Sequence, residues 1–176
     1  MRPEPGQVLH FSEDATIKRF SPHVARTATD QTAYVWAVND QRASDYWFPR
    51  QCPRALAWAT PATTAAHRRL VLGPTATRVH VIEYAWLERV QRARLFVYRF
   101  DAANFEPYGD PNNPHAMVSR VSVEALGPPQ PVGDLLQLHQ EADIELRLVD
   151  RLWPWWNVVI TTSVAHSGIR LANASP

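Results

Sequence analysis

The segment Leu95–Phe100, LFVYRF, alternates its side chains between two environments more cleanly than any other stretch of the chain. A period of two marks a strand with one buried face, and such a strand needs hydrogen-bonded neighbours and a core to lie on. The demand recurs at Ala33–Val38 (AYVWAV), β-branched and aromatic, and at Ile144–Val149 (IELRLV), where apolar and charged residues alternate. A central, twisted, largely antiparallel sheet carrying these three segments is expected. A chain of 176 residues buries roughly 70% of the surface its unfolded form exposes, so a single domain over residues 1–176 has material for a core.

Helical signals are interspersed with the strands. Asn39 or Asp40 caps a helix that runs through Ala43 to Tyr46-Trp47 and stops at Pro49. Val132–Ala142, opened by Gly133-Asp134, carries Leu135, Leu136 and Leu138 at helical spacing. Leu152–Ser163 reads as a tryptophan-rich helix with Pro154 in its first turn. Val79–Ile82 reads as strand passing into a helix over Glu83–Gln91, and Ser12 with Glu13 and Asp14 reads as the start of a short helix. Gln7–Phe11, Ala116–Ala125 and Ile169–Ala172 are further strand candidates. Pro49–Pro74 and Glu106–His115 are the most irregular stretches; the second, EPYGDPNNPH, reads as a loop. Without the regular βαβ spacing of a doubly wound fold, the pattern specifies an α+β domain with helices flanking the sheet.

Composition removes several functions. Eighteen basic against 17 acidic residues give no electrostatic footprint for duplex nucleic acid or an anionic membrane. No run approaches the roughly 20 apolar residues of a membrane span, and the first residues have no apolar signal region, so a cytoplasmic address is expected. Cys52 is the only cysteine, which excludes an intrachain disulfide and a cysteine zinc cage. P-loop, GxGxxG, HExxH, GxSxG and CxxC motifs are all absent. Lys18 is the only lysine among the 18 basic residues; with abundant alanine and proline, this bias follows from a GC-rich genome more readily than from phosphate binding.

Three segments carry candidate chemistry. His10, at the end of the first strand, begins His10-Phe11-Ser12-Glu13-Asp14, where a histidine can hold an anionic ligand or a ribose hydroxyl. Its plainer role is a bond to the backbone, and His10 with Asp14 lacks the third ligand of a metal site. The segment from Asp45 to Arg54 is dense in aromatics: Tyr46 can stack on a planar ring, and Arg50 or Arg54 can pair with phosphate. The plainer role is a helix docking its aromatic side into the core. Between Ser119 and Glu124, strand alternation sends Arg120, Ser122 and Glu124 to one face, either into a cleft or into water. Cys52 has arginines nearby but no histidine close in sequence to activate it, and reads as an inert thiol.

At HFSED, VWAV, YWFPR, IELRL and LWPWW the chain resembles a bacterial family of unknown function over nearly its whole length. A first-strand histidine, a second strand with an aromatic residue followed by a helix, and a later Ser-Arg strand are similar to ADP-ribosyltransferase-type folds, the small rifampin-modifying transferases among them. That similarity implies a site for NAD as substrate rather than a resident cofactor. It implies that His10 holds the NAD ribose, that Trp36 or Tyr46 stacks on the nicotinamide, and that Glu124 is the carboxylate at the reacting carbon. Arg50 or Arg54 is expected to pair with the pyrophosphate, and Ser119 or Arg120 to stand at the edge of the cleft. The alternatives are a nucleotide- or RNA-end-binding module without transfer chemistry, and a non-enzymatic partner protein.

Overall fold

The computed structural model describes residues 1–24, 31–110 and 113–176. In chain order the elements are β1 (Gln7–Ser12), β2 (Val35–Ala37), α1 (Asp40–Ala43), β3 (Arg54–Trp58), α2 (Ala65–Val71), β4 (Arg78–Glu83), α3 (Leu87–Arg92) and β5 (Phe96–Asp101). There follow β6 (Glu106–Asp110), β7 (Asn113–Ser119), β8 (Gln130–Pro131), α4 (Leu135–Glu141), β9 (Glu145–Val149), α5 (Leu152–Val159) and β10 (Ala165–Ile169). The class is α+β. Among the described residues no helix is long and apolar enough to cross a membrane.

The chain divides into two compact units, Met1–Trp47 with Arg94–Gly133 and Phe48–Ala93 with Asp134–Pro176. In the first unit, β5 lies between β1 and β8 in one antiparallel sheet, and β7 lies between β2 and β6 in another. Alternation on β2 sends Val35 and Ala37 to a core shared with Val8, Phe20, Tyr98, Phe100 and Val123, and leaves Trp36 on the other face. In the second unit the strand order is β10-β3-β4-β9, antiparallel except for the parallel pair β4–β9. Its core gathers Ala55, Ala57, Val79 and Val81 from the sheet, Val71 and Leu72 from α2 and just after it, and Leu152 and Val159 from α5.

Side chains from distant strands finish the helix ends in this second unit. Arg147 on β9 donates from Nη1 to Val71 O at 2.5 Å and from Nη2 to Leu72 O at 2.6 Å, satisfying carbonyls at the end of α2. The residue before α5, Arg151, makes no side-chain cap. Glu83 at the end of β4 does that work, accepting from Leu152 N at 3.0 Å. The same carboxylate accepts from Ser175 N and Ser175 Oγ. Trp155 and Trp156 pack on the core, while Trp153 is 36% exposed. Trp156 comes so close to β10 that a Cβ at position 168 would sit 2.9 Å from its ring, which explains Gly168.

Several expectations need correction. The segments at Val35, Leu95 and Ile144 all supply strands, but β2, β5 and β9 fall in three different sheets. Alternation reports that one face is buried and is silent about which neighbour buries it. The irregular stretch from Pro49 to Pro74 contains β3 and α2; Arg54, Ala55, Leu56 and Ala57 are all buried, so this interior strand shows no alternation. EPYGDPNNPH is not a loop: β6 and β7 pair as a hairpin, with Pro107 on the edge strand and Gly109 at φ +92° where the register shifts. Pro111 and Asn112 lie outside the described residues. No helix follows Ser12, because Asp14 Oδ1 instead takes the N–H and hydroxyl of Thr16 and closes a local turn. The strand expected over Ala116–Ala125 ends at Ser119, and the last strand lies earlier than Ile169–Ala172, as β10.

Glu83→Ala leaves the Leu152 and Ser175 donors without their acceptor. Bonds to a charged group contribute roughly 1.5–3 kcal/mol each, so the variant should lose at least about 3 kcal/mol in urea unfolding. A loss under about 1 kcal/mol would show that water replaces the carboxylate.

Candidate functional site

Three candidate residues of the first unit, His10, Trp36 and Arg120, meet around β2. His10 stands on β1 opposite Tyr98 of β5, and a bridge between Leu9 and Val38 brings β1 alongside the end of β2. The half-buried imidazole places Nδ1 2.8 Å from Trp36 O. A carbonyl only accepts, so Nδ1 carries a hydrogen. Phe20 meets the ring edge-on at 5.0 Å between centroids and Tyr98 at 6.5 Å. The histidine is therefore fixed in rotation and in tautomer.

The segment after His10 is held by the same tyrosine. Tyr98 OH donates to Asp14 O at 2.8 Å and accepts from Ile17 N at 3.1 Å. Asp14 N is bound by Ser12 Oγ, and the bonds from Thr16 hold the exposed Asp14 carboxyl below its usual range. Polar residues of HFSED thus fold the turn that follows the strand.

The other face of β2 carries an aromatic group. The Trp36 ring lies 5.7 Å from Tyr34 and 5.1 Å from Tyr108, and Tyr34 lies 5.8 Å from Tyr108, all edge-to-face. Register explains the gathering: Trp36 and Glu106 both pair with Val118, and Tyr108 stands two residues from Glu106 on the same face. Arg120 follows β7 and returns over Tyr34, with its guanidinium carbon 5.2 Å from the ring centroid and Nη2 donating to the Tyr34 hydroxyl at 3.3 Å. Its Nε pairs with Glu106 Oε1 at 3.2 Å. The Trp36 indole N–H is buried and, among the described residues, has no hydrogen-bond acceptor. Such an unmet donor costs roughly 1–3 kcal/mol.

His10 and Trp36 are thus neighbours through a main-chain carbonyl, and Trp36 and Arg120 share the aromatic face through Tyr34. The remaining candidates are placed differently. Ser119 is buried, and its hydroxyl donates to Val121 O within a tight turn. Glu124 is exposed, beside Val123, whose backbone pairs with that of Phe20. Tyr46 is half-buried in a single 3-10 turn after α1. Arg50 is exposed and belongs to the second unit. Arg54 is no surface phosphate ligand: it is buried, lies over Phe48 and donates to Cys52 O at 2.9 Å.

Tyr34, Glu106 and Tyr108 were not singled out by the sequence. The i, i+2 spacing of Tyr34 with Trp36 and of Glu106 with Tyr108 was the available signal, and Pro107 and Gly109 concealed the second pair. Among the described residues no three His, Cys, Asp or Glu side chains gather to hold a metal ion.

Cys52 is fully buried, and desolvation pushes its thiol up to about 12; Glu83 adds to the rise, and Arg54 opposes it. A thiol reagent at pH 8 should label Cys52 only after the protein is unfolded. Stoichiometric labelling of the native protein would show that the thiol is accessible and ionisable.

Residues 9–174 match a family described as one of unknown function, DUF6886. No curated protein and no solved structure matches the chain.

Proposed function

The chain belongs to that family of unknown function, and from the chemistry gathered around β2 we propose that it binds NAD and transfers ADP-ribose from it. The observation that carries this reading is the state of His10. An imidazole whose Nδ1–H is held by Trp36 O can, in its neutral form, receive a ribose hydroxyl donor at Nε2. It needs no reorganisation on binding, which is where a preorganised site gains affinity.

The aromatic group supports the same ligand. Tyr34, Trp36 and Tyr108 offer ring edges and faces to a nicotinamide or adenine, and the unmet Trp36 N–H suits a carboxamide oxygen. Arg120, exposed and anchored at Tyr34, is the pyrophosphate partner. Tyr46 and Ser119 remain secondary in this reading, and Arg50, a residue of the second unit, has no part in it.

The reaction is a displacement at the nicotinamide ribose carbon. The bond from that carbon to the ring nitrogen breaks, and neutral nicotinamide leaves with the electron pair. An acceptor nucleophile bonds to the same carbon and gives up its proton. Positive charge develops on the ribose as the bond breaks, and a carboxylate placed near it stabilises the transition state more than the ground state. Glu124 is the candidate from the sequence resemblance. Glu106 is the one that the contacts add, since pairing with Arg120 already holds it beside the aromatic group.

Calorimetry with millimolar NAD tests binding, and nicotinamide release tests transfer. His10→Ala should weaken NAD binding by roughly 5- to 150-fold, the range for a hydrogen bond lost in a buried site, with little change in melting temperature. Glu106→Gln and Glu124→Gln should retain binding, and one of them should lose nicotinamide release. Binding without release by the wild type would make the protein a nucleotide-binding module. No binding at millimolar NAD would end the reading.

A further inference from the structure

The second unit contains two buried histidines with no part in the chemistry above. His80, in the middle of β4, is 0% exposed, and His139, near the end of α4, is 2% exposed. They stand in a chain of polar contacts. Arg78 Nε donates to His80 Nε2 at 3.0 Å, His80 Nδ1 lies 3.0 Å from His139 Nε2, and His139 Nδ1 lies 2.6 Å from Leu135 O.

The two ends of this chain decide the tautomers. Arg78 has only hydrogens to offer, so His80 Nε2 accepts and the His80 proton sits on Nδ1. That proton is directed at His139 Nε2, which must accept it. His139 Nδ1 then carries the N–H that meets the Leu135 carbonyl. Both rings are neutral, and all four ring nitrogens are engaged.

An additional proton has no compatible position. On His80 it occupies Nε2 and opposes the Arg78 N–H. On His139 it occupies Nε2 and opposes the His80 N–H; moving the His80 proton to its other nitrogen only returns the conflict to Arg78. Among the described residues, the charges acting on the pair are cationic and offer no relief. Arg54 of β3 and Arg78 of β4 are the nearby cations, Leu56 of β3 and Leu146 of β9 stand opposite His80, and Phe48 packs on both rings. Glu83, further along β4, has its carboxylate committed to Leu152 and Ser175. Burial, and after it the charges around His80, push that histidine well below its ordinary value; burial chiefly lowers His139.

We propose that the His80–His139 pair is an acid-operated latch, which holds α4 against β4 while both rings are neutral and releases it when they take up protons. A released imidazole titrates near its ordinary pKa of about 6.5. The open state therefore binds more protons than the closed one below that pH. Closure is fully favoured above about pH 6.5 and is lost progressively as the pH falls towards the depressed closed-state values.

Hydrogen exchange on the full chain, corrected for the intrinsic pH dependence of exchange, reads this directly. Two protons taken up per opening raise the opening constant of the α4 amides about 600-fold between pH 7 and pH 5, and one proton about 25-fold. Wild-type Leu135–Glu141 should follow the larger figure, while the α5 amides, Leu152–Val159, stay protected. His139→Gln keeps an acceptor for His80 and removes one titrating ring, so its α4 response should fall to about 25-fold. Three results would each overturn the latch: α4 and α5 opening together with one pH dependence, which is global acid unfolding; no pH dependence of α4 beyond the intrinsic one; or an undiminished response in His139→Gln.

Discussion

The Glu83 carboxylate is 1% exposed and accepts bonds from Leu152 and Ser175, residues 69 and 92 positions away in sequence. A buried anion must be matched by donors, and here one side chain at the end of β4 starts α5 and fastens the last residues of the chain. The same constraint organises the rest of the second unit. Arg147 satisfies the end of α2, Arg54 finds the Cys52 carbonyl, and His80 and His139 satisfy each other between Arg78 and Leu135. Apart from the local bond of Arg54 to Cys52, these contacts join elements that the apolar core alone would position less uniquely.

In the first unit the corresponding group is the Tyr98 hydroxyl. Buried on β5, it binds both ends of the turn from Asp14 to Ile17 and lies against the rings of His10 and Phe20. The histidine is therefore rigid for reasons that lie in the core. The aromatic face of β2 and β6 has a different character. Its members are half-buried or exposed except Tyr34, an ion pair crosses it, and one indole N–H is left unmet. That donor adds to the NAD reading carried by His10.

Legibility in the sequence followed the physics of each segment. LFVYRF and IELRLV showed their strands because each has one wetter face. RALAW did not, because four consecutive residues are buried and the period of two vanishes. The tract from Glu106 to His115 misled through its prolines and glycine, which an edge strand with an irregular register tolerates. His10, Trp36 and Arg120 were visible as candidates because strand ends and aromatic strand positions are common places for ligands. Tyr34, Tyr108 and Glu106 were not, because the pairing of β2 and β6 across β7 cannot be read from either strand.

The sequence by itself determined the class of fold, helix starts at Asn39 or Asp40 and at Gly133-Asp134, and the absence of an intrachain disulfide. These follow from local rules: a side chain that can cap within three residues, a period of alternation, a count of cysteines. Only the tertiary structure decided which strands share a sheet, which carboxylate stands beside the aromatic group, and which histidines are forced to remain neutral. Sheet partners, buried hydrogen bonds and desolvation depend on residues brought together from tens of positions apart. Their energies exist only once the chain has excluded water from between them.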